Sequence, residues 1–100
     1  MKLAVLVNTD RHVNHVVGIV KAALAKGHEV LIFAMDDGTK LLANLEFAEL
    51  CRTKGVCMSF CNHSAKGLNV ATEGLPAEIV CGSQYHNAVM NRDADRLIVL

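Results

Sequence analysis

The stretch Val56-Cys57-Met58-Ser59-Phe60-Cys61 has the apolar rhythm of a buried strand and breaks off at a cysteine, followed by Asn62-His63-Ser64-Ala65-Lys66-Gly67. A thiol in that place can do chemistry. If a helix begins directly after Cys61, the first-turn amides of His63 and Ser64 point at its sulfur, and the positive end of the helix dipole favours thiolate over thiol. A lowered pKa makes sulfur nucleophilic near neutral pH, and His63 and Lys66 bring further positive charge to the neighbourhood. The competing reading is that Cys61 is a small core residue, the commonest fate of a cysteine in an apolar strand.

The other cysteines define what that thiol can pair with. The spacings Cys51-x5-Cys57-x3-Cys61-x19-Cys81 contain no C-x-x-C, so neither a zinc ribbon nor a thioredoxin motif is signalled. Cys57 shares a strand face with Cys61, but four residues at about 3.3 Å each separate their Cα atoms by roughly 13 Å, beyond the ~7 Å limit of a disulfide. Cys57 is therefore expected in the core, Cys51 on a buried helix position or a loop edge, and Cys81 near the edge of the site as a possible second thiol.

Other polar residues invite metal or ligand readings. His12-Val13-Asn14-His15, with Asp10 and Cys61, would offer mixed nitrogen, oxygen and sulfur donors at one sheet edge, yet no recognised ligand spacing completes the set and no metal is expected. Asn8, Asp10 and His12, with His63, are expected to border a strand-end pocket. Asp36-Asp37 before Gly38 reads as a turn or cap. No glycine-rich loop follows the first apolar run, which disfavours a nucleotide-binding Rossmann or P-loop site, and Cys61 stands where a phosphorylated receiver would need an aspartate.

These residues need elements to position them. Leu3 to Asn8, Glu29 to Met35, Val56 to Cys61, Glu78 to Cys81 and Arg96 to Leu100 read as strands. Between them, Val13, Val16, Val17, Val20 and Leu24 form one apolar helical stripe that stops at Gly27, and Leu42 to Arg52 reads as a second helix ending before Gly55. Asn62 to Gly74 holds a short helix and a loop, Pro76 sits just outside the fourth strand, and Ser83 is placed to cap a helix through Tyr85, Ala88 and Val89. Near-continuous apolar strands alternating with helices predict a three-layer α/β/α domain over residues 1–100, its five-stranded sheet mainly parallel, with right-handed crossovers. In such sheets, sites lie outside the carboxyl ends of the strands, which directs attention to Asn8–His12, Asp36–Thr39, Cys61–Ser64 and Gly82–Gln84.

Bulk properties narrow the function. A chain of 100 residues with 52% apolar residues and one proline is a single folded domain with a thin core, so self-association would add burial. Ten basic residues balance ten acidic ones, and three Phe and one Tyr are the only aromatics, which leaves no footprint for nucleic acid. The longest apolar run, Val30 to Met35, is far short of the roughly 20 residues that cross a bilayer, and Leu3 to Val7 is too short for a signal-peptide core of about 7 to 15. A reducing, cytoplasmic setting with free thiols is expected.

With that layout in view, the sequence resembles the DsrE/DsrF/TusD-like sulfur-relay family over essentially its whole length. The resemblance is carried by "MKLAVLVNTD", "AALAKGHEVLIFAMDDG", "VCMSFCNHSAKG" and "ADRLIVL", whereas "GSQYHNAVM" is not a motif tied to the known activity of the characterised carriers. In that family a cysteine after the third strand, followed by a short helix with a basic residue and glycine, carries sulfur as a persulfide. The resemblance therefore implies Cys61 as the carrier, Lys66-Gly67 as the basic-glycine pair, no cofactor, protein partners that donate and accept sulfur, and a trimeric or hexameric assembly like the small stand-alone members. Two other readings remain open: an oligomeric metal- or small-ligand-binding module, and a thiol redox or peroxide-sensing protein in which Cys61 is oxidised and Cys81 resolves it.

Overall fold

Runs such as Leu3-Ala4-Val5-Leu6-Val7 and Val30-Leu31-Ile32-Phe33-Ala34 lack any polar face, and such strands persist only where both sheet faces are covered. A computed structural model, which describes residues 1–100, shows how this is met. Strands β1 (Lys2–Val7), β2 (Glu29–Ala34), β3 (Val56–Cys61), β4 (Ile79–Gly82) and β5 (Arg96–Val99) pair in the order β4-β3-β2-β1-β5. Every pairing is parallel. Each strand read from the sequence lies within one residue of its observed bounds at either end.

That order dictates where the helices go. From β1 to β4 the chain steps in one direction, so right-handed crossovers place α1 (Val13–Ala25), α2 (Leu45–Glu49) and α3 (Asn62–Gly67) on the same face. The return from β4 to β5 crosses the whole sheet and puts α4 (Gln84–Asp93) alone on the other. Burial follows this asymmetry. Twenty buried residues fill the three-helix face, among them Val5, Val16, Val20, Ile32, Phe47 and Phe60, whereas Ala4, Phe33, Cys61 and Met90 are the four buried on the α4 face.

The second helix departs from its sequence reading. Instead of one helix over Leu42 to Arg52, the chain forms a 3-10 segment (Asp36–Ala43), the single-turn-and-a-half α2, and a further 3-10 turn (Leu50–Arg52). Asn44 causes the break: its backbone is extended, and its side chain accepts from the Phe47 amide at 3.0 Å, which starts a new helix rather than continuing the old one. Upstream, the 3-10 segment crosses the end of β1 so closely that a Cβ on Gly38 would lie 2.0 Å from the Val7 carbonyl oxygen. Only glycine fits there. Ser83 caps α4 as its type and position predict, accepting from the Tyr85 amide while its own amide donates to His86 Nδ1, each at 3.2 Å.

Candidate functional site

Alternation along β3 decides which face each side chain takes. Met58 and Phe60 belong to the three-helix core, so Cys57, Ser59 and Cys61 point toward α4. Cys61 lies 3% exposed at the carboxyl end of its strand, packed with Ala4, Phe33 and Met90. It is also the residue immediately before α3, in the N-cap position, although its side chain makes no capping hydrogen bond.

Burial by itself pushes the Cys61 thiol up. It is outweighed by the Ser64 hydroxyl and amide, the side-chain amide of Gln84 and the His63 amide, so the thiol titrates below its ordinary range. Cys51, also buried, shows the opposite balance: desolvation, reinforced by the charge of Glu78, raises it. Two buried thiols in one small domain thus differ in what surrounds them: hydrogen bonds outweigh burial at Cys61, and burial outweighs them at Cys51.

The expected supporters of the thiolate divide. Ser64 acts through hydroxyl and backbone, and His63 through its backbone amide while its ring stays exposed. Lys66 is exposed, and its ammonium is not among the groups that set the Cys61 titration. His63 and Ser64 border a shallow depression of about 330 Å³ with Asp36, Asp37, Gly67 and Leu68.

The second cluster predicted from sequence does not form a pocket. Asn8, Asp10 and His12 follow β1 as expected, but none of them lines a cavity, and between them the Thr9 hydroxyl donates to the Leu100 carbonyl at 2.9 Å. His12 and His15 rings meet edge to face at 5.8 Å, and no three His, Cys, Asp or Glu side chains gather in metal-binding range. Cys81 is in register with Phe60 and so points to the three-helix side, whereas Cys61 is in register with Gly82 and points to the α4 side. The sheet separates the two thiols, which removes Cys81 as an intrachain resolving cysteine for Cys61.

Cys57 also differs from expectation, being exposed rather than core. A single helix cannot cover five strands, and it leaves a groove of about 550 Å³ bordered by Leu31, Cys57, Ser59, Val80, Tyr85 and Val89. This largest cavity does not include Cys61. Gln84, by contrast, reaches the site from the start of α4; the strand-end rule marks Gly82–Gln84 in the sequence without giving Gln84 a part in supporting the thiolate. The signal was its position beyond the carboxyl end of β4, the place where sites form in parallel sheets.

Fold and site together define a small parallel α/β protein with a buried thiol at a strand end, just before a helix. Comparison with known proteins makes the assignment specific: the family model of the DsrE/DsrF-like family matches residues 1–100, and the chain belongs to that family. Its fold is similar to that of the ychN protein from E. coli, with a TM-score of 0.73 and 14% identity over 99% of this chain and 97% of that one. It is similar as well to MTH1491 from Methanobacterium thermoautotrophicum, described as a protein of unknown function, with a TM-score of 0.77 and 15% identity over 99% and 98% of the two chains. No curated protein matches the sequence.

Proposed function

We propose that this protein is a cytoplasmic sulfur carrier in which Cys61 holds sulfane sulfur as a persulfide. The observation that carries the reading is the place of Cys61 at the carboxyl end of β3 and directly before α3, where hydrogen bonds from Ser64, His63 and Gln84 pull its thiol down against burial. Membership of the DsrE/DsrF-like family supports it. In the loading step the Cys61 thiolate attacks the outer sulfur of a donor persulfide; the new S–S bond forms as the donor's S–S bond breaks, and the donor leaves as a thiolate with the electron pair. Delivery is the same exchange in reverse order, with an acceptor thiolate attacking the outer sulfur and Cys61 departing as thiolate. Nothing is oxidised or reduced overall, so the step calls on neither metal nor organic cofactor. Ser64, Gln84 and the His63 amide stabilise the Cys61 sulfur both as nucleophile and as leaving group.

Cyanide is a simple acceptor with which to test this. Protein loaded with polysulfide and freed of excess reagent is expected to release one equivalent of thiocyanate from Cys61, and a yield that is unchanged when Cys61 is alkylated beforehand would overturn the reading.

We further propose that the carrier is a homo-oligomer, a trimer or hexamer, and that it works with donor and acceptor proteins. The support is the thinly covered α4 face, where Val80, Tyr85, Leu97 and Val99 are exposed and the groove beside α4 is apolar. Light scattering coupled to size-exclusion chromatography is expected to return three or six times the 10.8 kDa chain mass; a monomer at all accessible concentrations would contradict it. No helix is long and apolar enough to cross a membrane, and four free cysteines fit a reducing compartment.

A further inference from the structure

A carboxamide has a donor end and an acceptor end, and the end that faces a sulfur decides whether it stabilises or opposes a thiolate. For Gln84 the choice is made two turns along α4. Asn91 Nδ2 donates to the backbone carbonyl of Asn87 at 2.9 Å, and because a carbonyl only accepts, the orientation of the Asn91 amide is fixed. The same Nδ2 donates to Asn87 Oδ1 at 2.9 Å, which leaves Asn87 Nδ2 to donate to Gln84 Oε1 at 3.0 Å. With its oxygen engaged, Gln84 presents Nε2 to Met35 Sδ at 3.8 Å, and Met35 packs on the cluster that holds Cys61. Positions 84, 87 and 91 are spaced three and four apart, so the relay runs down one face of the helix.

We propose that Gln84, held in a single orientation by Asn87 and Asn91, is a positioning residue that aims an amide N–H at the reactive sulfur of Cys61 and at the outer sulfur of its persulfide. The inference rests on the sulfur-carrier reading above. Met35, Cys61 and Gln84 come from or just after the carboxyl ends of β2, β3 and β4, three neighbouring strands, so the fold brings one amide and two sulfurs together. A persulfide extends the side chain by an S–S bond of about 2 Å. Its charge moves outward by that length, and a donor on the long, exposed Gln84 side chain can follow it where the fixed backbone amides cannot.

The surroundings leave this donor prominent. Side chains packed on Cys61 from β1, β2 and α4 are the apolar Ala4, Phe33 and Met90. The titratable groups on the flanking elements are Asp10, Arg11 and His12 after β1, Asp36, Asp37 and Lys40 after β2, His63 and Lys66 of α3, Cys81 of β4, and Tyr85, His86, Arg92 and Asp93 of α4. None of their charges is among the contributors to the Cys61 titration.

The test is the pH profile of Cys61 alkylation by iodoacetamide, followed by peptide mass on the full chain in a Cys57→Ser/Cys81→Ser background. Gln84→Leu, which removes the donor, and Gln84→Glu, which offers only acceptors, are expected to raise the midpoint, the glutamate by about one pH unit or more, equivalent to about tenfold less thiolate below it. Asn87→Asp cannot donate to Gln84 Oε1 and inverts the amide, so it is expected to raise the midpoint too, and to do so still in high salt, where a through-space charge effect of an exposed carboxylate is screened. An unmoved midpoint in both Gln84 variants, with native circular dichroism, would overturn the positioning role. Alkylation needs no sulfur donor, so the two claims fail separately. A shifted midpoint in protein that takes up no sulfur keeps the role of Gln84 and overturns the carrier reading, whereas loading with an unmoved midpoint does the reverse.

Discussion

Cys61→Ser is expected to reduce thiocyanate release from polysulfide-treated protein to the level of untreated protein, with the fold retained. The substitution keeps the shape of the side chain and leaves the Ser64, His63 and Gln84 dipoles in place. What it removes is an anion accessible near neutral pH, because a serine hydroxyl does not ionise there and oxygen does not exchange onto a sulfane sulfur. The new hydroxyl finds partners at Ser64 and Gln84, so the stability cost is expected to be about 1 kcal/mol, the scale of a satisfied buried polar group. Cyanolysis and thermal melts measured on the same samples separate loss of chemistry from loss of fold. Cys57→Ser and Cys81→Ser are the controls; both thiols are exposed, and release from Cys61 is expected to survive each change.

Gly38→Ala is expected to destabilise the protein by about 3 kcal/mol, at the upper end of the range for overpacking. The added methyl would sit 2.0 Å from the Val7 oxygen and 2.6 Å from its carbonyl carbon, both backbone atoms of a fully buried strand residue. No rotamer change relieves such a clash, so the 3-10 segment must lift away from the sheet. That segment begins directly after Met35, which carries the sulfur that Gln84 contacts, and its displacement is expected to slow Cys61 alkylation as well. A fall in the urea midpoint at constant slope is the signature of lost stability. Gly18→Ala provides the contrast: it lies in α1 with nothing within 4 Å of the added methyl, and it is expected to gain about 0.5–1 kcal/mol from the reduced entropy of the unfolded chain. Equal effects at the two glycines would show that close backbone approach is not what Gly38 provides.

The five strands were readable because each is a short apolar run with turn residues beside it, and parallel pairing follows from the helices between them. Strand order was not readable, and the main surprises come from it. Once β5 pairs with β1, only α4 remains for one whole face, so Cys57 lies open in a groove rather than buried in a core. The same order and register put Cys81 and Cys61 on opposite faces of the sheet. Leu100, the last residue of the closing strand's run, receives the Thr9 hydroxyl at the end of β1, where a pocket with Asn8, Asp10 and His12 was expected. Asn44 broke a helix that apolar spacing alone made continuous, because a side-chain cap outweighs one more turn of stripe.

Within the site, local features were legible and distant ones were not. Cys61, His63 and Ser64 are neighbours in sequence, and a cysteine between strand and helix has few places to point. Lys66 is equally close in sequence, yet its long side chain is free to stay in solvent. Gln84 stands twenty-three residues further on, at the start of the fourth helix. Its approach to Cys61 depends on β4 pairing beside β3 and on α4 starting immediately after it. Spacing on the helix shows that 84, 87 and 91 share a face; only the assembled sheet shows what that face meets.

The most direct test of the central claim is intact-mass spectrometry of the reduced protein after brief treatment with a polysulfide donor, followed by peptide mapping, with wild type, Cys61→Ser and Cys57→Ser/Cys81→Ser compared. The account predicts one added sulfur, or a short ladder of them, on the peptide that contains Cys61, retained in the double variant and lost in Cys61→Ser. Sulfur found only on Cys57 or Cys81, with Cys61 unmodified in folded protein, would contradict it.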